Sequence, residues 1–444
     1  MNSANAQSDT LALLKAGKLR GCQRLKLNAD LTAFPAEIFE LADSLEILDL
    51  SDNALSHLPH DFSRLTKLRI LFCSNNQFTH LPEGLGECKN LSMIGFKANQ
   101  ISEIPESAIP TQTLRWLIVT DNALRQVPNV LGDCTKLQKL MLAGNQLTAL
   151  PMAMAKCHAL ELLRISANQF QALPEWLFNL PNLTWLAYAG NPLCNGIEQR
   201  RIAQHQVQEI DWQSLTLQQV LGQGASGVTY QAIWHKRQGE HESVAVKLFK
   251  SGLTSDGLPR CEMYANVLAG EHPNLVGIKG VVSHHPQGEL GLVMPLLDAS
   301  LKVLAHSPSL ETCTRDVYVD DAQYSQMQVL HIANSVAKAV LHLHQQDMMH
   351  GDLYAHNILC NQTQVVLSDL GGVSLMPEEI SLARSLKCLE SRAFGVLLGE
   401  LLERSQIGAF EHDLLRQLQA QCMHVDIACR PDFETILAQL AILQ

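Results

Sequence analysis

The sequence predicts two folded bodies in series: an α/β solenoid of short parallel strands, then a separate α+β domain. Three observations carry that expectation. A 23-residue pattern keeps register across the segments that begin at Leu45, Leu68, Leu91, Leu114, Leu137, Leu160 and Leu183. The pattern dissolves after Asn191 into a polar stretch. Beyond it a glycine-rich strand-loop-strand, LGQGASGVTYQAIW, opens a segment that ends in amphipathic helices such as SRAFGVLLGELLER.

Within the repeats, Leu48 and Leu50, Leu71 and Cys73, and Leu117 and Val119 alternate with outward residues, so each copy supplies one short strand with a buried face. An earlier copy starts at Cys22, one residue short and with Asp30 near the asparagine position, which makes eight. Asn53, Asn76, Asn99, Asn122, Asn145, Asn168 and Asn191 follow the strands, where their amides suit the backbone groups of a turn and its neighbour. Pro59, Pro82, Pro105, Pro128, Pro151 and Pro174 restrict the start of the outer arc. No copy buries its apolar face alone, so stability must come from stacking. The polar segment ending DTLALLKAG is expected to cap the stack as a helix.

This pattern resembles leucine-rich repeats, which implies a horseshoe-shaped solenoid whose concave face binds partners. On that face one column reads Ile47, Ile70, Met93, Trp116, Lys139, Leu162, Trp185, and the next Asp49, Phe72, Gly95, Ile118, Met141, Arg164, Ala187. An exposed apolar stripe with two tryptophans would mark a docking face for a protein substrate or partner. Cover from the second domain, or from the solenoid's own curvature, is the equal alternative.

Composition narrows the partners. With 46% hydrophobic and 17% charged residues the chain is globular rather than disordered. A net charge of −11, with no basic run longer than a pair, argues against nucleic acid and anionic membrane. No signal-like start or long apolar span appears, so a cytoplasmic protein is expected. The twelve cysteines form no CxxC pair; Cys88, Cys134 and Cys157 share one repeat position with Leu65 and Leu180, as small buried hydrophobes do.

In the second domain Gly222, Gly224 and Gly227, with Val228 after them, lie in a strand-loop-strand, not at the start of a helix as a dinucleotide fold requires. Glycines there let backbone amides approach phosphate, and the strand ESVAVKLFK carries Lys247 inward. Glu262 follows on a helical stretch, where its carboxylate suits the ammonium. Then come His350, Asp352 and Asn357 in MHGDLYAHN, and Asp369, Leu370 and Gly371 in SDLGG.

These ordered motifs resemble the protein-kinase superfamily over roughly residues 213–444. The resemblance implies a two-lobed fold and transfer of a phosphoryl group from ATP with Mg²⁺. It assigns Lys247 to the phosphates and Glu262 to Lys247. Asp352 becomes the base, Asn357 and Asp369 the metal ligands, and Met294 the guard of the adenine pocket. The expected division is a cap over 1–21, repeats over 22–200, a linker over 201–212 and a catalytic domain over 213–444.

Departures from that family pattern also read out. Gly351 replaces the arginine that answers a phosphorylated activation segment, so control by that route is not expected. The segment from Asp369 to the triplet Met376–Glu378 is short; Glu390 takes the place of the usual aspartate in the next helix, and Arg430 is the expected partner of Glu378. Tyr354 and His356 blur the choice of acceptor. The reading is an active kinase, Ser/Thr by base rate, with the repeats as a protein-interaction module; a nucleotide-binding pseudokinase scaffold is the alternative.

Overall fold

The computed structural model describes residues 2–224, 226–254 and 256–443. They form two compact units, one ending at Leu183 and the other beginning at Thr184. The repeat pattern runs past that boundary, so its eighth copy is counted with the second unit.

The first unit starts with helix α1 (Asn2–Lys15), as the polar leader predicts, and Leu14 is buried. Seven strands follow in register: β1 (Arg24–Lys26), β2 (Ile47–Asp49), β3 (Ile70–Phe72), β4 (Met93–Gly95), β5 (Trp116–Ile118), β6 (Lys139–Met141) and β7 (Leu162–Arg164). Each pairs in parallel with the next, and the register shift is one repeat, so Leu48 lies beside Leu71 and Leu117 beside Leu140. The inward residues Leu48, Leu71, Ile94, Leu117, Leu140 and Leu163 are sealed from solvent.

The asparagine column stitches the copies together. Asn122 donates Nδ2 to the Phe96 carbonyl of the preceding copy at 2.9 Å and to Val119 at 3.1 Å, and its Oδ1 accepts from the Ile101 amide at 2.9 Å. Asn145 repeats the set one copy later, on Val119, Leu142 and Leu124. Each amide thus satisfies backbone groups of two adjacent turns. The residue just before it turns left-handed at Asp52, Asn75, Ala98, Asp121 and Ala167. On the outer arc, Pro82, Pro105, Pro128, Pro151 and Pro174 each cap a short 3-10 helix, with φ between −59° and −72°.

The concave columns are not one open stripe. Ile70, Met93 and Leu162 are buried, and Trp116 is half-buried with Lys139 over its ring at 4.3 Å. Cys88, Cys134 and Cys157 are buried as expected, and desolvation pushes their thiols up to about 12, 12 and 11.

The second unit opens with β8 (Trp185–Ala187) and helix α2 (Pro192–Gln204), which takes up the polar stretch after Asn191. A six-stranded sheet follows, built from β9 (Glu209–Asp211), β10 (Leu215–Gln223), β11 (Gly227–His235), β12 (His241–Phe249), β13 (Gly280–Ser283) and β14 (Gly291–Pro295) in the order β10-β11-β12-β14-β13-β9. Alternation along β12 splits its side chains: Val244 and Val246 enter one core, Ala245 and Phe249 the other. Helix α3 (Pro259–Ala269) accompanies this sheet.

The remainder is mainly helical. After β15 (Lys302–Val303) and β16 (Tyr324–Ser325), helix α4 (Gln326–Gln345) starts at a capping box of Ser325 and Gln328. Short strands β17 (Met348–Met349), β18 (Ile358–Cys360), β19 (Val365–Leu367) and β20 (Ser374–Leu375) frame the loops of interest. Buried helix α5 (Ile380–Glu403), β21 (Ser405–Gln406), α6 (Ala409–Cys422) and α7 (Phe433–Ala441) complete the unit. Among the described residues no helix is long and apolar enough to cross a membrane.

Candidate active site

A cavity of about 260 Å³ lies in the second unit, lined in part by Lys247, Glu262, Met294, Leu367 and Asp369. Strand β12 delivers Lys247 to it, because residues 245, 247 and 249 share the face that carries Ala245 and Phe249. Helix α3 begins at Pro259, which suits a first helical position, and so places Glu262 in its first turn. The Lys247 ammonium and the Glu262 carboxylate meet in an ion pair. Burial raises the Glu262 carboxyl, the nearby Asp369 adds to that, and Lys247 opposes it.

The glycine-rich segment is the hairpin of β10 and β11, as the strand-loop-strand reading requires. Gln223 pairs with Val228 and Gly222 with Thr229, and the Gly224 amide donates to the Gly227 carbonyl at 3.0 Å. Gly222 and Gly224 stand in the open; Gly227 is buried where a Cβ would lie 2.3 Å from the Leu248 carbonyl oxygen. Ala225 lies outside the described residues. Met294, paired with Ala245 and buried, lines the same cavity as Lys247.

The loop after β17 carries Asp352 and Asn357. The Asn357 Nδ2 donates to the Asp352 carbonyl and to its Oδ2, both at 2.9 Å, so one amide fixes backbone and carboxylate together. Asp369 follows β19 in a left-handed turn, φ 55°, and its Oδ1 accepts the Gly371 amide at 3.1 Å. The loops are pinned from beneath by Glu390, which accepts the His350 amide at 3.1 Å, the Gly351 amide at 2.8 Å and is bonded to His344 Nε2 at 2.8 Å. Burial alone would raise this carboxyl, but those donors hold it below the ordinary range.

Asn357 and Asp369 fit a small hard cation. With Nδ2 engaged by Asp352, the Asn357 amide keeps its oxygen to offer, and the Asp369 carboxylate keeps the oxygen that Gly371 does not use. Among the described residues no group of three His, Cys, Asp or Glu could hold an ion alone. Mg²⁺ suits that economy, because it binds through one or two protein oxygens plus substrate phosphates.

One expectation changes. Glu378 holds Arg200 of α2 at 2.6 Å, while Arg430 is buried and donates Nε to the His424 carbonyl at 2.8 Å. Gly351 is more than an absent arginine: at φ +71° its missing Cβ would lie 2.5 Å from the Gly372 carbonyl oxygen and 2.6 Å from that of Leu186. One neighbour had no signal in the sequence. Asp316, its side chain sealed, accepts from the His356 amide at 3.0 Å and bonds its Nδ1 at 2.7 Å, and that pairing outweighs burial to raise the imidazole.

Residues 215–387 match the model described as protein tyrosine and serine/threonine kinase, and residues 24–78 and 135–193 match leucine rich repeat. Ephrin type-B receptor 4 of Homo sapiens is 23% identical over 282 residues, 52% of this chain and 27% of the receptor. The probable serine/threonine-protein kinase gdt4 of Dictyostelium discoideum is 27% identical over 161 residues, 34% of this chain and 8% of its own length. The probable serine/threonine-protein kinase SIS8 of Arabidopsis thaliana is 26% identical over 283 residues, 53% of this chain and 26% of its own. The chain thus spans roughly a quarter or less of the length of these relatives.

Proposed function

From the premise that the chain joins leucine-rich repeats to a protein kinase domain, we propose that it phosphorylates Ser or Thr hydroxyls of a protein partner with Mg²⁺-ATP, in the cytoplasm. The observation that supports this reading is one cavity lined by the Lys247–Glu262 pair and Asp369, with the bonded Asn357–Asp352 unit in the same unit of the fold. Lys247 would hold the substrate phosphates, steadied by Glu262. Asp352, oriented by Asn357, would take the proton of the attacking hydroxyl. Asn357 and Asp369 would hold Mg²⁺, which supplies charge neutralisation at the phosphates when bound. Two relatives named as serine/threonine-protein kinases support the acceptor class. The half-buried Trp116 keeps the concave face of the repeats as the surface for a protein partner.

The test is transfer of label from γ-labelled ATP with Mg²⁺ in the full chain. Asp352→Asn is expected to lower transfer by about 10²–10⁴-fold while ATP still binds. Wild-type turnover in that variant would overturn the assignment. ATP binding without transfer in the wild type would instead make the protein a nucleotide-binding pseudokinase scaffold.

A further inference from the structure

The eighth repeat strand does something in the second unit that its place in a repeat does not call for. The Trp185 indole Nε1 donates to the Leu353 carbonyl at 2.9 Å, one residue after Asp352. Its ring lies flat on Tyr354, with centroids 4.0 Å apart and planes 10° from parallel. On the other side of Asp352, the Leu186 carbonyl comes so close to Gly351 that no side chain fits between them. Three consecutive contacts from β8 thus fall on residues 351, 353 and 354.

The strand continues onto the short segment after Asp369. The Tyr188 amide donates to the Ser374 hydroxyl at 3.0 Å, and the Tyr188 hydroxyl donates to the Leu375 carbonyl at 3.1 Å. Trp185 and Tyr188 are both fully buried. Arg315 stands over the Trp185 ring at 5.4 Å and Arg392 donates Nε to the Thr184 hydroxyl at 3.2 Å, so the strand is itself anchored. The loop of Asp352 and the segment after Asp369 are both held by a piece of the repeat pattern.

We propose that Trp185 is a positioning residue for Asp352: strand β8 fixes the backbone on both sides of the base and so sets the geometry of phosphoryl transfer. The inference rests on the reading of Asp352 as the base. Its physical ground is that a reacting group displaced by about 1 Å loses on the order of 10²-fold in rate. Trp185 is not among the residues that line the cavity of Lys247 and Asp369, so its effect falls on turnover and not on ATP affinity.

The experiment compares the full-length wild type with Trp185→Phe, which keeps a stacking ring and loses the N–H, and with Trp185→Ala, which loses both. Turnover, the KM for ATP and amide hydrogen exchange are measured on each. The expected result is a fall in kcat of about 10- to 100-fold in Trp185→Phe, an ATP KM unchanged within about twofold, and faster exchange confined to 350–357. Trp185→Ala falls further. Unchanged kcat overturns the proposal, as does exchange that accelerates throughout the second unit, which marks simple destabilisation. Should the wild type transfer no phosphate, the kinase reading fails on its own, and exchange at 350–357 in Trp185→Phe decides the brace: local loosening supports it, wild-type protection overturns it.

Discussion

Glu400 shows how one side chain ties stability to pH. Its Oε2 accepts the Tyr318 hydroxyl at 3.1 Å; burial first, then the charge of Asp316, push the carboxyl up from 4.5 to about 7. A carboxyl raised on folding binds its proton more tightly in the folded state. Its contribution is therefore complete below about 4.5 and is lost as pH climbs through about 7. That loss amounts to at most roughly 3 kcal/mol. Glu400→Gln is expected to flatten the fall in melting temperature between these pH values, and an unaltered pH profile would contradict the assignment. At the same scale, the residues proposed for the site, Lys247, Glu262, Asp352, Asn357 and Asp369, stand out in the sequence because they lie in short motifs in a fixed order. Asp316 does not, since the histidine it holds lies forty residues away and an isolated aspartate carries no pattern.

Among the elements, the asparagine column and the strand β8 make opposite lessons. Every bond of Asn122 goes to backbone of its own or the adjoining copy, so Asn122→Ala leaves buried carbonyls and an amide unpaired. The expected cost is about 1–3 kcal/mol on the repeat unit, read as a lower midpoint in denaturant beside Lys136→Ala, an exposed control. Equal losses in the two variants would refute the ladder. This column was visible in advance because its partners recur at a constant spacing. The left-handed turn before it was hidden, as Ala98 and Ala167 occupy a conformation that a reader expects of glycine or asparagine. The repeat spacing puts Trp185 in the column read as a docking stripe, yet it is fully buried, because its partner Leu353 lies 168 residues on, a distance no local pattern spans.

For the whole molecule, nucleotide binding offers a test that needs no acceptor. A ligand at about 100 times its Kd stabilises the native state by about 2.7 kcal/mol, which for a unit of this size is worth roughly 5–10 °C. Mg²⁺-ATP is expected to raise the melting of the full chain's second unit by that order, and Lys247→Met to shrink the shift; no shift at millimolar nucleotide would remove the binding assignment. The stitching of the repeats has a consequence of another kind. Since Asn76, Asn99, Asn122 and Asn145 bond main-chain atoms alone, one copy presents its neighbour with the same set of donors and acceptors as the next. The hydrogen-bonded part of that seam is blind to side-chain identity, as the apolar packing beside it is not. Excising 23 residues in register would rejoin hydrogen-bonded edges that already match and leave only side-chain packing, such as Phe72 against Gly95, to be formed anew.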